Sequence, residues 1–209
     1  IGEKGYCPSN SLCTVGGAIR RVNLTSNIIT KFAGDYVFNS AEDEGAATAA
    51  SFKSIDSIWG DTAGNMFVCD AKSHVVRTIS SAGSNVSTYA GKADKAGNGG
   101  DKGSATDAKL YTPVDACGDT VGNLYIVVQR SRKVRKVDSG GIISTFAGVG
   151  GKPPSNYNEC GDGEDAISAH FKTLTGVAVD SLGLVYIVDS GHHVVRRVFS
   201  DGIISTIFG

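Results

Sequence analysis

Four histidines (His74, His170, His192 and His193) and five cysteines are the residues best suited to metal or nucleophilic chemistry. A metal site needs ligands that converge from several elements. His74 and the His192–His193 pair lie on or beside strand-like segments, His170 lies in a connecting stretch, and no matching set recurs along the chain. Adjacent histidines in a strand point to opposite faces, so His192 and His193 do not readily share one ion. The stretches Glu42-Asp43-Glu44 and Asn158-Glu159-Cys160-Gly161-Asp162-Gly163-Glu164-Asp165 offer oxygens for calcium. Neither has the alternating Asp order of a calcium loop, and both read as solvated. No catalytic residue, metal ligand or cofactor is expected.

The cysteines are Cys7, Cys13, Cys69, Cys117 and Cys160, an odd count that leaves at least one without an internal partner. Cys7 and Cys13 flank a Pro-Ser-Asn turn and are the candidates for a hairpin disulfide. Cys69 and Cys117 fall in apolar runs and read as buried thiols acting as small hydrophobes. Cys160 lies in a loop rich in Gly, Pro and Asn and is the candidate for an intermolecular bond. Two sequons, Asn23-Leu24-Thr25 and Asn85-Val86-Ser87, are candidate sites for N-linked glycans. Both fall between the third and fourth strands of a repeated unit. The run Arg130, Arg132, Lys133, Arg135 and Lys136 is the densest cluster of charge. It lacks interleaved aromatics for base stacking, so a solvated strand edge is expected and nucleic acid is not.

The elements that must carry these residues form a repeat. Gly122-Asn123-Leu124-Tyr125-Ile126-Val127, then Val134-Arg135-Lys136-Val137, then Gly141-Ile142-Ile143-Ser144-Thr145-Phe146-Ala147-Gly148 returns around Gly183–Ile207 and Gly64–Gly91. A truncated copy covers Ile19 to Gly34. Arg20, Arg77, Arg135 and Arg196 hold the same place in each copy, about 57 to 61 residues apart. One arginine per copy at a fixed place reads as structural, bonded to carboxylates or carbonyls between units. Each full copy reads as four short strands with Asp/Gly turns. The links between copies share an alanine-rich segment that suggests a short helical turn, ending in Phe52, Leu110 or Phe171. Such an anchor fits the gap between neighbouring sheets.

Four-stranded units at even spacing predict an all-β propeller: three full blades plus an incomplete N-terminal one, as an open arc or part of a larger ring. A single region over 1–209 is expected, with an incomplete blade at 1–34 and blades at 53–92, 111–148 and 172–209. The 209 residues carry a formal net charge of −1, so no bulk field favours nucleic acid or anionic membrane. No apolar run is long enough to span a membrane. The chain opens at Ile1 and reads as a processed or excised piece.

The three ordered motifs resemble the NHL repeat. The aspartate usual after its second strand stands at Asp70 and Asp189, and is replaced by Val128 in the third copy and Cys13 in the first. Such an aspartate is expected to order the following turn through backbone N–H groups. The resemblance implies blades of a ring that usually has six. It also brings two alternatives: a lyase or hydrolase with a divalent metal in the central channel, and an RNA-binding propeller. The reading preferred on the residues is a non-catalytic, secreted module for protein–protein contact or structural assembly. Its partners would be another protein, or itself through propeller edges, and a filament or larger glycoprotein assembly could follow.

Overall fold

The computed structural model describes residues 17–23, 25–35, 45–81, 85–155 and 160–209. The candidate disulfide Cys7–Cys13, the stretch Glu42–Glu44, and Asn158 and Glu159 lie outside them.

The described residues form four antiparallel sheets arranged as an incomplete propeller. Blade 1 contributes β1 (Ile19–Val22) and β2 (Ile29–Ala33). Before blade 2 comes β3 (Gly45–Ala46), followed by β4 (Ile55–Gly60), β5 (Met66–Asp70), β6 (Val75–Ile79) and β7 (Asn85–Ala90). Blade 3 repeats this with β8 (Gly103–Ser104), β9 (Pro113–Gly118), β10 (Leu124–Val128), β11 (Lys133–Val137) and β12 (Ile142–Ala147). Blade 4 has β13 (Leu174–Val179), β14 (Val185–Asp189), β15 (Val194–Val198) and β16 (Ile204–Phe208).

A feature absent from the sequence reading is the fifth strand. The link before blade 2 lays β3 along the outermost strand, pairing Ala46 with Asn85, and β8 does the same for blade 3 through Ile142 and Ser104. In blade 4 a single bridge, Asp165 to Ile203, stands in its place. These two-residue strands carry Gly, Ala and Ser, too short and too small to give a period of two. They cover part of each outer edge, the site where unpaired strands otherwise invite association.

The blades stack because neither face of a sheet is polar. In β10 all five residues, Leu-Tyr-Ile-Val-Val, are buried. The three apolar cores lie between blades, and each contains one link anchor. Phe52 sits with Ile19 and Ala33 of blade 1 and Val68 and Ile79 of blade 2. Leu110 joins Cys69 and Val76 to Ile126 and Val137, and Phe171 joins Val127 and Val134 to Leu174 and Ile187. Each link carries one turn of 3-10 helix, at Ala47–Ala49, Ala105–Asp107 and Ala166–Ser168, whose first alanine is buried. An apolar plug at each seam joins the blades through burial of apolar surface, which contributes about 25 cal/mol per Å².

The Ala-Gly that ends the outer strands of blades 1, 2 and 3 has a steric cause. Gly91 and Gly148 have φ of +93° and +95°, and a Cβ there would lie 2.5 Å from the carbonyl oxygen of His74 or Arg132. Only glycine lets the departing link cross so close to the turn between the second and third strands.

Candidate interaction surface

The strand order fixes two opposed faces. Turns joining first to second and third to fourth strands lie on one, the turn face. The links and the turns joining second to third strands lie on the other, the link-bearing face. Three kinds of buried polar contact hold the links.

The repeated arginines come first. Arg77, Arg135 and Arg196 are at most 1% exposed, whereas Arg20 is exposed. The four equivalent positions are thus not equivalent in environment. Arg135 Nη2 donates to Asp101 Oδ1 at 2.5 Å, and Thr145 Oγ1 donates to Asp101 Oδ2 at 2.8 Å. Arg196 reaches Asp162 Oδ1 through Nε at 3.0 Å and Nη2 at 2.6 Å, while its Nη1 donates to the carbonyl oxygens of Cys160 and His170. Both carboxylates belong to the link entering the arginine's own blade. Burial opposes the charge on Asp162, but the Thr206 hydroxyl and amide and the Arg196 guanidinium outweigh it and hold its carboxyl below the usual range.

The second contact is made by Asp70 and Asp189, both fully buried. Their donors are chiefly the amides where the link enters the first strand. Lys53 and Ser54 donate to Asp70 at 3.0 and 2.9 Å, and Lys172 and Thr173 donate to Asp189 at 3.1 and 2.9 Å. The sequence suggested a role confined to the following turn. That turn is bonded too, through Ser73 Oγ at 2.7 Å in blade 2 and His192 Nδ1 at 2.7 Å in blade 4. In blade 3, with Val128 in place of Asp, backbone amides of Gln129 and Arg130 donate instead to the carbonyls of Thr112 and Tyr111. The side chain of Gln129 crosses to the Leu174 carbonyl of blade 4 at 3.2 Å.

The third contact is the turn after the second strand. His74, Arg132 and His193 occupy matching left-handed positions with φ of 62°, 53° and 62°. His192 and His193 therefore lie in a turn rather than a strand, which corrects the opposite-face argument drawn from sequence. His74 Nδ1 accepts the Thr112 amide of the next link at 3.3 Å. Among the described residues, no group of three or more His, Cys, Asp or Glu is placed to hold a metal ion.

The five-residue basic run does not form one patch. Arg135 is buried against Asp101, and Lys136 Nζ lies over the Tyr125 ring at 5.8 Å. Arg130 and Arg132 turn onto the link-bearing face, where they meet Lys172 and Lys152. Two adjoining hollows of about 350 and 360 Å³ lie there between blades 3 and 4, sharing Arg132 and Lys172. Arg132 is held by the carbonyls of Lys172 and Gly151, and Arg130 lies 5.9 Å from the Tyr111 ring centre. Sequence proximity found Arg130 and Arg132. It missed Lys152 and Lys172, which the link brings in from about 20 and 40 residues away.

The remaining predicted residues are placed as follows. Asn23 is exposed in the turn between β1 and β2, its Oδ1 accepting the Thr25 and Ser26 amides. Asn85 is exposed but opens β7, beside Ala46, rather than lying in the turn before it. Cys69 is buried, and that burial pushes its thiol up to about 12; burial likewise raises half-buried Cys117. Cys160 is 1% exposed, with its sulfur 4.0 Å from His192 Nε2. Its burial closes it to the intermolecular bond expected from its loop sequence.

Residues 146–209 match the family described as the Teneurin NHL domain. The match covers the last blade and the link that enters it, and it agrees with the resemblance of the repeated motifs to the NHL repeat. Mouse Teneurin-4 is 35% identical over 109 residues, covering 48% of this chain and 4% of the relative, and chicken Teneurin-1 is 29% identical over the same length. The chain thus matches a small fraction of the length of these curated relatives. Among solved structures, a Bacteroides thetaiotaomicron auxiliary nutrient binding protein superposes with a TM-score of 0.64 at 15% identity, over 92% of this chain and 43% of that one. A chain of a nidogen/laminin complex gives 0.60 at 15% identity, over 92% and 57%. A streptogramin B lyase gives 0.56 at 9% identity, over 92% and 48%. At these identities the likeness is one of fold.

Proposed function

We propose that this chain is a non-catalytic extracellular module that binds another protein through its link-bearing face, as one component of a larger glycoprotein assembly. The observation that carries the reading is the bonding of the links. Buried guanidinium–carboxylate clamps and buried aspartates hold these irregular segments against rigid blades, so that the surface is preformed and loses little entropy on binding. The hollows around Arg132 and Lys172 give that surface relief and positive charge, which suits an acidic patch on a partner. The fold is shared by a component of a nidogen/laminin complex and by a streptogramin B lyase alike, so the bonding of the links, not the likeness, favours protein contact. Exposed Asn23 and Asn85 leave room for glycans and support an extracellular setting. Self-association through propeller edges belongs to the same reading. No helix among the described residues is long and apolar enough to cross a membrane.

The test is intact mass of the natively sourced protein before and after deglycosylation, with sedimentation across a range of concentrations. Glycans on Asn23 or Asn85 support the extracellular setting, and a bare chain refutes it. Concentration-dependent association supports edge pairing. A strict monomer that also ignores the charge reversals Arg130→Glu and Lys172→Glu in partner binding refutes the interaction reading.

A further inference from the structure

The turn face differs in chemistry from the link-bearing face. In blades 2 to 4 its six turns contain five aspartates and no lysine or arginine: Asp61, Asp119, Asp138, Asp180 and Asp201. Where blades 2, 3 and 4 meet, this face opens into a cleft of about 360 Å³. Its wall is aromatic. Trp59 and Phe67 have ring centres 5.5 Å apart, and Tyr89 stands edge-on to Phe67 at 4.8 Å. Gly118 is the facing wall, and a Cβ there would lie 2.3 Å from the Trp59 ring, so the indole is seated across the seam. Asp61, Asp119 and Asp180 line the same cleft.

Two of these carboxylates are held ionised. Burial opposes the charge of Asp119, but bonds from Asn123, Val121 and Tyr125 outweigh it. For Asp180 the small cost of burial is outweighed by Leu184, Tyr186 and Leu182. On the rim, the third residue of each first turn grows from Ala63 to Val121 to Leu182, and the last two are 72% and 82% exposed. Val121 and Leu182 thus present exposed aliphatic side chains beside the mouth of the cleft.

We propose that this cleft binds a segment of a partner protein that presents an arginine or lysine between apolar residues. The cationic side chain enters along the aromatic wall of Trp59, Phe67 and Tyr89, where aromatic rings attract cations, with its charge toward Asp61, Asp119 and Asp180. Its apolar neighbours rest on Val121 and Leu182. The occupant is fixed by charge complementarity: the three carboxylates accept bonds within their own turns, and Arg197 lies near Asp180, but their summed negative charge at the cleft favours a cation over an acidic or purely apolar segment. The site lies on the face opposite the one argued above, so either can fail alone.

Trp59 is the only tryptophan and reports directly on the cleft. The intact chain is titrated with acetyl-Leu-Arg-Leu-amide and with acetyl-Leu-Glu-Leu-amide while Trp59 emission is followed. The arginyl peptide gives a saturable shift that weakens as salt rises from about 0.05 to about 0.5 M; the glutamyl peptide gives none. The pair Asp119→Asn and Asp180→Asn keeps the Oδ1 acceptors of the turn amides, gives up the Oδ2 acceptors that Asn123, Tyr125 and Tyr186 use, removes both charges, and weakens binding by about tenfold. Leu182→Ser weakens it without changing the melting temperature, and decides the matter should the double variant fold poorly. A flat titration to about 5 mM, equal shifts for the two peptides, or unchanged affinity in Leu182→Ser overturns the proposal.

Discussion

The arginines repeated through the chain give the sharpest quantitative test, because one position in four is exposed. Consider Asp162→Ala, Arg196→Met and Arg20→Met. Arg196 has a side-chain exposure of 0% and Asp162 of 39%. Removing the carboxylate strands a buried guanidinium with two carbonyl contacts at 3.2 and 3.4 Å. Breaking a buried pair this way costs about 3–5 kcal/mol, and the exposure of Asp162 lets water recover some of it, placing the expectation at about 3 kcal/mol. Arg196→Met removes the cation instead and leaves an aspartate that water can reach, while the methionine keeps most of the packing. That costs about 1.5–2 kcal/mol. Arg20 is exposed, so Arg20→Met stays within about 0.5 kcal/mol. For a chain of this size each kcal/mol moves the melting temperature by about 2–4 °C, giving losses of about 6–12, 3–8 and under 2 °C. Thermal unfolding followed by circular dichroism reads all three. Equal losses for Arg20→Met and Arg196→Met, or a smaller loss for Asp162→Ala than for Arg196→Met, would refute the reasoning.

Three further outcomes follow from the same contacts. Phe171→Ala empties the seam between blades 3 and 4 and lowers stability by about 3–5 kcal/mol, read from the urea midpoint; a loss under 1 kcal/mol would show that the plug is not structural. Cys69, with its thiol pushed up to about 12 by burial, stays unlabelled by a thiol reagent at neutral pH in the native chain and reacts only on unfolding; rapid native labelling, read by peptide mapping, contradicts its placement. Asp119 and Asp162 titrate below their unfolded value in the fold, so their contribution is present above about pH 4 and is lost as pH falls through the lower folded value. The melting temperature should therefore hold to about pH 5 and fall below pH 4, less steeply in Asp162→Asn; equal slopes would remove Asp162 from the account.

The blades were legible because their strands repeat three motifs in order; alternation does not mark β10, whose five residues are all apolar and buried, so the repeat and not a period of two places it. The anchors Phe52, Leu110 and Phe171 were legible because one large apolar residue follows a run of small ones. The fifth strands were not. Gly45–Ala46 and Gly103–Ser104 are strands only because an outer edge accepts them, and two small residues carry no pattern of their own. The carboxylates that meet Arg135 and Arg196 both lie 34 residues upstream, so the repeat keeps their spacing constant, but only the folded link shows that this offset closes a clamp. The turn-face cleft was invisible for a related reason: Trp59, Gly118 and Asp180 come from three blades, and only the stacking of those blades brings them together.

The most direct test of the interaction reading is photo-crosslinking on cells that produce the protein. A photoreactive phenylalanine analogue is placed at Arg130 on the link-bearing face, and at Asp201 as a control on the outer corner of the turn face. The account predicts a covalent adduct with another protein from position 130 and none from position 201. No adduct from 130, or the same adducts from both, would contradict it.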